Sequence, residues 1–368
     1  MNTEFERARE LGHEHGLPLL MLSRRVLRDN LRRLQEQLPG VELFYAVKSN
    51  PSPLVLETLR DAGCRFDVAS SHELESLQAL GADADEALYT NPVKAYGEVA
   101  RAVASGANVF FYDNVDELDK IAAEAPGAKL VLRLAVVNPD CVVDLGAKFG
   151  CDPQEAEALL DGGVERGLRP FGLAFHVGSQ SAIPQPFVDM IHVCRQLFNQ
   201  MAVKGRPLEM LDIGGGFPVP YKSHAMSLES FTRPIRDALN SYFPDTRIVA
   251  EPGRILSATA VKLAARVIGR SVRQGMPWYY LEDGVYGTFS GAVFDKASYV
   301  FTSERSGSVG PCVLAGPTCD SFDVISREER LPALEPGDVV IAENMGAYTS
   351  ASATHFNGIP MTKIVAVD

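Results

Sequence analysis

The chain has 368 residues, 46% hydrophobic and 22% charged. With a mean hydropathy of -0.01, it has the composition of a soluble globular protein of roughly two domains at ~150 residues each. Its net charge of -12 argues against a general binder of nucleic acid or of anionic membranes. No apolar run reaches the roughly 18–20 residues that span a bilayer, and the polar start MNTEFERARELGHEHG is not a secretory signal.

Eight β-rich runs are expected before residue 254. They are Val41–Val47, Arg65–Ser70, Ala87–Asn91, Asn108–Asp113, Lys129–Val136, Phe171–Gly178, Glu209–Gly216 and Arg247–Gly253. Each is nearly continuous in apolar residues, as parallel strands buried on both faces are. Between them Ser71–Leu80, Val115–Ala125, Pro153–Gly167 and Gln185–Val203 carry a helical period. Alternation of this kind predicts a (β/α)8 barrel, with a doubly wound open sheet as the competing reading. After Gly253 the helical patterns largely disappear. Val261–Val272, Trp278–Gly284, Val309–Gly316, Val339–Glu343 and Thr362–Val367 read as strands between Gly, Pro and Ser turns, which predicts a second, β-rich domain from about residue 261. Six cysteines, Cys64, Cys141, Cys151, Cys194, Cys312 and Cys319, are scattered without a CxxC pair. Neither a metal site nor a disulfide framework is expected, and reduced cytoplasmic thiols are.

In a barrel, chemistry gathers at the C-terminal strand ends, which here offer Lys48, Asp67, Arg133, His176, Gly214–Gly216 and Glu251. A lysine directly after an apolar strand can form a Schiff base when it points into the barrel mouth. Taken alone, it is more often a snorkelling surface residue. Three glycines in DIGGGFP let backbone N–H groups approach a phosphate, or simply make a tight turn; no GKS or GKT follows, so this is not a P-loop. In EPGR, Glu251 can pair with a protonated ring nitrogen and Arg254 with an anion, or the two form a surface ion pair. His176 can stack on a flat cofactor or sit in the core. Cys319-Asp320 in GPTCDSFD and Tyr348 in ENMGAYTSA each read alone as structural.

Together YAVKSN, FDVASSHE, HVGSQ, GGGFP, EPGR, GPTCDSFD and ENMGAYT, in this order over nearly the whole chain, resemble the fold-type III pyridoxal-phosphate (PLP) decarboxylases, the ornithine/diaminopimelate/arginine decarboxylase group. The resemblance implies an alanine-racemase-like (β/α)8 barrel over 25–260, with 1–24 and 261–368 forming a β-sandwich or β-barrel domain. It implies that Lys48 is the Schiff-base lysine and that Asp67, Glu73 and Arg133 surround the cofactor. His176 would stack on the ring, with Ser179 near the phosphate. Gly214, Gly215, Gly216, Gly253 and Arg254 would hold that phosphate, helped by Tyr348, and Glu251 would pair with the pyridine nitrogen. Cys319 and Asp320 would come from the partner subunit of a homodimer. In that role Glu251 would keep the ring nitrogen protonated and the electron sink strong. The related racemases carry an arginine there, so Glu251 argues for decarboxylation, with Cys319 as proton donor.

Diaminopimelate decarboxylases typically have Cys-Glu-Ser where this chain has Cys319-Asp320-Ser321, and an arginine in the segment that here reads DGVYGTFSGAVFDKAS. That segment has no arginine and carries Asp295 where ornithine decarboxylases place an acid. Asp295 and Asp320 would bind a distal ammonium and repel a carboxylate. The expected substrate is therefore a basic amino acid, ornithine first, giving putrescine and CO2 for polyamine biosynthesis, and lysine second. Phe294 stands where the eukaryotic enzymes usually have tyrosine, which leaves substrate length open. A related diamino acid in a secondary-metabolite pathway is a further alternative. Diaminopimelate, or a catalytically silent regulatory homologue, ranks below these.

Overall fold

The computed structural model describes residues 3–222 and 226–368. The chain divides into two compact units, Met1–Leu27 with Val219–His224 and Leu256–Asp368, and Arg28–Pro218 with Ala225–Ile255.

The chain opens with α1 (Thr3–His15), β1 (Leu19–Leu22) and α2 (Arg24–Gln37). A strand–helix alternation follows: β2 (Val41–Ala46), α3 (Pro53–Asp61), β3 (Arg65–Val68), α4 (Ser71–Ala79), β4 (Leu88–Tyr89), α5 (Glu98–Ala104), β5 (Val109–Tyr112) and α6 (Val115–Glu124). It continues with β6 (Lys129–Leu134), α7 (Ala156–Glu165), β7 (Arg169–Phe175), α8 (Gln185–Val203), β8 (Met210–Asp212), α9 (Leu228–Tyr242) and β9 (Arg247–Ala250). Strands β2 to β9 pair in parallel in sequence order, and β9 returns to β2, closing the barrel. The open-sheet alternative is therefore excluded. Phe44, Leu88, Val109, Phe111, Val131, Phe171, Ala174, Met210 and Val249 form one buried cluster of bulky and small side chains, the filling of a barrel that is a core rather than a pore. All eight expected runs are strands, but several end early, β7 at Phe175, β8 at Asp212 and β9 at Ala250. The polar and glycine residues beyond those points belong to loops on the C-terminal face.

α10 (Arg254–Ser257) crosses the border at Ile255/Leu256 and leads into the 13-residue β10 (Val261–Arg273) of the other unit, followed by β11 (Met276–Leu281), α11 (Gly291–Phe294) and β12 (Phe301–Ser303). Then come β13 (Gly310–Ala315), β14 (Val324–Leu331), β15 (Val339–Ala342) and β16 (Lys363–Ala366). They form a mixed sheet in the order β12-β15-β10-β11-β13-β14, with β1 pairing antiparallel to β10 and parallel to β16. Strand β10 changes register between Val267 and Gly269, a bulge that lets one long strand serve two sets of neighbours. Phe5, Ala8 and Leu11, one face of α1 at i, i+3 and i+6, pack on Leu19, Met21, Ala264, Val339 and Ile341. β1, β12 and β14 are additions to the expected strands.

Candidate active site

Every barrel strand delivers a polar group to the C-terminal face. Lys48 lies in a single 3₁₀ turn, Val47–Ser49, directly after β2, and its Nζ donates to Asp67 Oδ2 of β3 at 2.5 Å. Asp67 has no exposed surface; its second oxygen accepts the Thr90 hydroxyl from the end of β4. Glu73 closes the first turn of α4. Its N–H donates to the N-cap hydroxyl of Ser70 at 3.2 Å, and its carboxylate accepts the N–H of Ala69, the residue before the cap, at 2.6 Å, so both bonds fix the start of the helix. Burial raises the Glu73 pKa.

Arg133 on β6 lies over the Phe149 ring at 5.2 Å and faces the charges of Glu251, Asp113, Asp212 and Asp67. His176, just past β7, accepts the Gly178 N–H on Nδ1 at 3.1 Å, so its proton sits on Nε2. Burial and the cations Arg133 and Lys48 push its pKa well below the usual histidine value, and the ring is a neutral, flat surface at the barrel mouth.

The Gly214–Gly216 run after β8 cannot carry side chains. Gly214 and Gly216 have φ of 65° and 103°, in the left-handed region that favours glycine. A Cβ on Gly214 would overlap the Phe175 carbonyl oxygen, and one on Gly215 would sit 2.6 Å from the Glu251 carbonyl and 3.2 Å from His176 Nε2. Gly214→Ala is expected to destabilise the protein by roughly 2 kcal/mol or more, from strained φ and the backbone clash. Urea unfolding of the purified variant checks this. The loops are pinned by Glu251 N–H on Gly214 O at 2.8 Å and Ser181 N–H on Gly216 O at 2.9 Å.

Glu251 and Asp212 form the anionic floor. Both are buried, at 7% and 0% exposure, and Asp212 Oδ2 meets no hydrogen-bond donor. Burial raises both pKa values, and their mutual repulsion adds to the rise in Asp212, as Asp67 does for Glu251. Two carboxyls so placed retain a proton between them unless a cation arrives. Beside them Arg254, 6% exposed, donates from Nη2 to Ser179 Oγ at 3.0 Å. Its α10 follows Gly253, whose own Cβ would lie 2.8 Å from that of Ser49.

The remaining expected residues lie in the β-rich unit. The loop Gly316–Asp323 is shaped by Asp323, whose oxygens accept the N–H groups of Val285 at 2.8 Å and Thr318 at 3.0 Å. This leaves Cys319 exposed. Asp320 accepts the Phe322 N–H at 3.0 Å and the Tyr286 hydroxyl, and these two bonds lower its pKa. Asp295 caps the end of α11, its N–H donating to Gly291 O at 3.0 Å. Residues flanking Asp295 and Asp320 in sequence, among them Val293, Lys296, Ser321 and Phe322, border one cavity of about 770 Å³, whose wall does not include either acid. Tyr348 adopts a φ of 52°.

The barrel face thus brings together Lys48, Asp67, Arg133, His176 and Glu251. Sequence reasoning missed Thr90, Tyr286 and Asn357, which grip Asp67, Asp320 and Cys319 respectively. Only Thr90, at the end of a barrel strand, carried a positional signal. Among the described residues no cluster of His, Cys, Asp and Glu suits a metal ion, and no helix is long and apolar enough to cross a membrane.

Residues 24–258 match the family model described as pyridoxal-dependent decarboxylase, pyridoxal binding domain. The lysine/ornithine decarboxylase of Selenomonas ruminantium is 40% identical over 342 residues, 93% of this chain and 87% of that protein. The crystal structure of a lysine/ornithine decarboxylase complexed with putrescine, from Vibrio vulnificus, superposes with a TM-score of 0.94 at 41% identity, covering 100% of this chain and 99% of that one. The structure of SrLDC in complex with PLP and cadaverine gives a TM-score of 0.93 at 38% identity, covering 98% and 92%.

Proposed function

The chain belongs to the pyridoxal-dependent decarboxylases, and from that membership we propose that it removes the α-carboxyl group of L-ornithine as CO2 to give putrescine, with lysine as the second substrate. When bound, PLP accepts the electron pair that departing CO2 leaves on the α-carbon. The barrel mouth fits this group. Burial and repulsion make the Glu251–Asp212 pair retain a proton on its own, and a protonated ring nitrogen would take that proton's place. Next to it the Gly214–Gly216 run packs against the Phe175, Glu251 and Gly178 carbonyls, and without side chains its backbone would approach a phosphate closely.

Lys48 would hold the aldehyde carbon, with Asp67 orienting its ammonium. Gly214, Gly215, Gly216, Gly253, Ser179 and Arg254 would hold the phosphate, helped by Tyr348. Glu251 would keep a proton on the ring nitrogen. His176, neutral, would lie against the ring without competing for that charge, and Glu73 and Arg133 would close the pocket. Cys319 returns a proton to the α-carbon after CO2 has left, and Asp295 and Asp320 bind the distal ammonium.

The observation that carries the basic-substrate reading is Asp320. Its carboxylate, held ionised by Phe322 N–H and the Tyr286 hydroxyl, suits an ammonium and opposes a second carboxylate. Relatives described both as ornithine decarboxylase and as lysine/ornithine decarboxylase support a basic substrate of either length. The domain division in this reading puts the cofactor in 25–260 and the completing residues in 1–24 and 261–368. We place Cys319 and Asp320 at the barrel mouth of a second copy, in a homodimer. Exposed Phe294 and Phe322, at 67% and 60%, support a buried interface around them. Six unpaired cysteines and putrescine as product fit a cytoplasmic role in polyamine supply.

The test is CO2 and putrescine release, one for one, by the PLP-loaded protein. Turnover on ornithine, followed by lysine, is expected; absence of turnover on ornithine, lysine, arginine and diaminopimelate alike contradicts the reading. Asp320→Ala is expected to raise KM for ornithine by roughly 10–100-fold, the worth of a charge-assisted bond. Steady-state kinetics check it, and an unchanged KM would misplace the ammonium.

A further inference from the structure

We propose that Asn357 is a positioning residue that holds the Cys319 thiol for proton delivery and supports the charge left on its sulfur. The inference rests on Cys319 being the proton donor. Asn357 meets Cys319 twice, across 38 residues of chain. Its Oδ1 accepts the Cys319 backbone N–H at 3.1 Å, and its Nδ2 donates to Cys319 Sγ at 3.4 Å. The orientation of the amide follows from chemistry. A backbone N–H can only donate, so the oxygen must face it, and the NH2 group is left to face the sulfur.

Two features hold the amide there. Asn357 has a φ of 57° inside the turn Phe356–Gly358, a left-handed conformation that asparagine tolerates better than most residues. The preceding Phe356 stacks on Tyr286 with ring centroids 4.3 Å apart and planes 24° from parallel, and Tyr286 donates its hydroxyl to Asp320. Adjacent residues Cys319 and Asp320 are therefore gripped by two side chains that are joined by an aromatic stack.

In the step itself the S–H proton passes to the electron pair on the α-carbon, and the S–H bonding pair stays on sulfur as a thiolate. An N–H aimed at sulfur stabilises that thiolate. It also stops the side chain from turning away. Asp320, Asp323 and Tyr286 of the same loop cluster, and Lys48, Asp67, Arg133 and Glu251 of the barrel mouth the thiol would face, are unchanged in the Asn357 variants below.

The experiment measures iodoacetamide alkylation of Cys319 against pH in the PLP-loaded protein, with peptide mapping. Cys64, Cys151, Cys194 and Cys312 are buried and react slowly. Asn357→Asp has the same shape and keeps an oxygen on the Cys319 N–H, but puts an oxygen where the sulfur met a donor. Its alkylation midpoint is expected to rise by about one pH unit, and kcat on ornithine to fall ~10-fold with KM within about twofold. Asn357→Gly, which suits the positive φ, is expected to lower kcat with a smaller midpoint shift. In a Cys319→Ala background, Asn357→Asp is expected to cause no further loss.

An Asn357→Asp variant with the original midpoint and kcat overturns the inference, as does an undiminished further loss in the Cys319→Ala background. Normal turnover by Cys319→Ala overturns the proton-donor reading beneath it, and the alkylation midpoint then reports separately whether the amide touches the thiol.

Discussion

Lys48→Ala is expected to lower decarboxylation by more than ~1,000-fold and to abolish the visible absorbance of the PLP-loaded protein. Without the amine, the cofactor is no longer linked to the chain, and both proximity and covalent activation are lost. The substitution also strips the fully buried Asp67 of its hydrogen-bonded cation, while the Thr90 hydroxyl stays on its other oxygen. A stability loss of roughly 1–3 kcal/mol follows from the uncompensated charge, so the variant alone would mix folding with chemistry. Lys48→Arg separates them, because a guanidinium still pairs with Asp67 but forms no link to an aldehyde. The expected result is near-original urea stability with no turnover. Activity above about a tenth of the original in either variant would remove Lys48 from its role.

Glu251→Gln is the second large effect. A neutral amide does not keep the ring nitrogen protonated, and the electron sink weakens; kcat is expected to fall by ~100-fold or more, with a smaller change in KM. The same residue leaves a signature in the cofactor-free protein. Burial and neighbouring carboxylates raise the pKa values of Glu251 and Asp212 in the folded state. Above the ordinary carboxylate range the folded state therefore binds more protons than the unfolded one, and stability falls as pH rises through that window. Glu251→Gln is expected to flatten this decline, and saturation with PLP is expected to flatten it too, because the ring cation takes the place of the retained proton. Urea titrations of the cofactor-free protein and of the variant between pH 5 and 8 check the sign. A stability that rises with pH for the cofactor-free protein would contradict the electrostatic account of the floor.

The barrel was legible because its strands are buried on both faces and so appear as apolar runs; VELFYAV and KLVLRLAV need no partner to be recognised. β14 was not, because Val324–Leu331 reads VISREERL with several exposed side chains, as an edge strand of a half-solvated sheet does. β1 and β12 have four and three residues, too short for a period. The site follows the same logic. Lys48, Asp67, Arg133, His176 and Glu251 stand at strand ends, and a barrel brings strand ends together whatever their separation in sequence. The grips of Tyr286 on Asp320 and Asn357 on Cys319 cross 34 and 38 residues of loop and sheet. No local spacing encodes them, since they depend on how Asp323 folds the Gly316–Asp323 loop and on the stack of Phe356 upon Tyr286.

The attachment point of the cofactor is the most direct test of the whole account. The PLP-loaded protein is reduced with borohydride, which fixes the cofactor to the amine that holds it, then digested and mapped by mass spectrometry. The account predicts one modified peptide, carrying the phosphopyridoxyl mass on Lys48 in YAVKSN. Modification centred on another lysine, the buried Lys94 for example, or no modification in a protein that still decarboxylates ornithine, would contradict it.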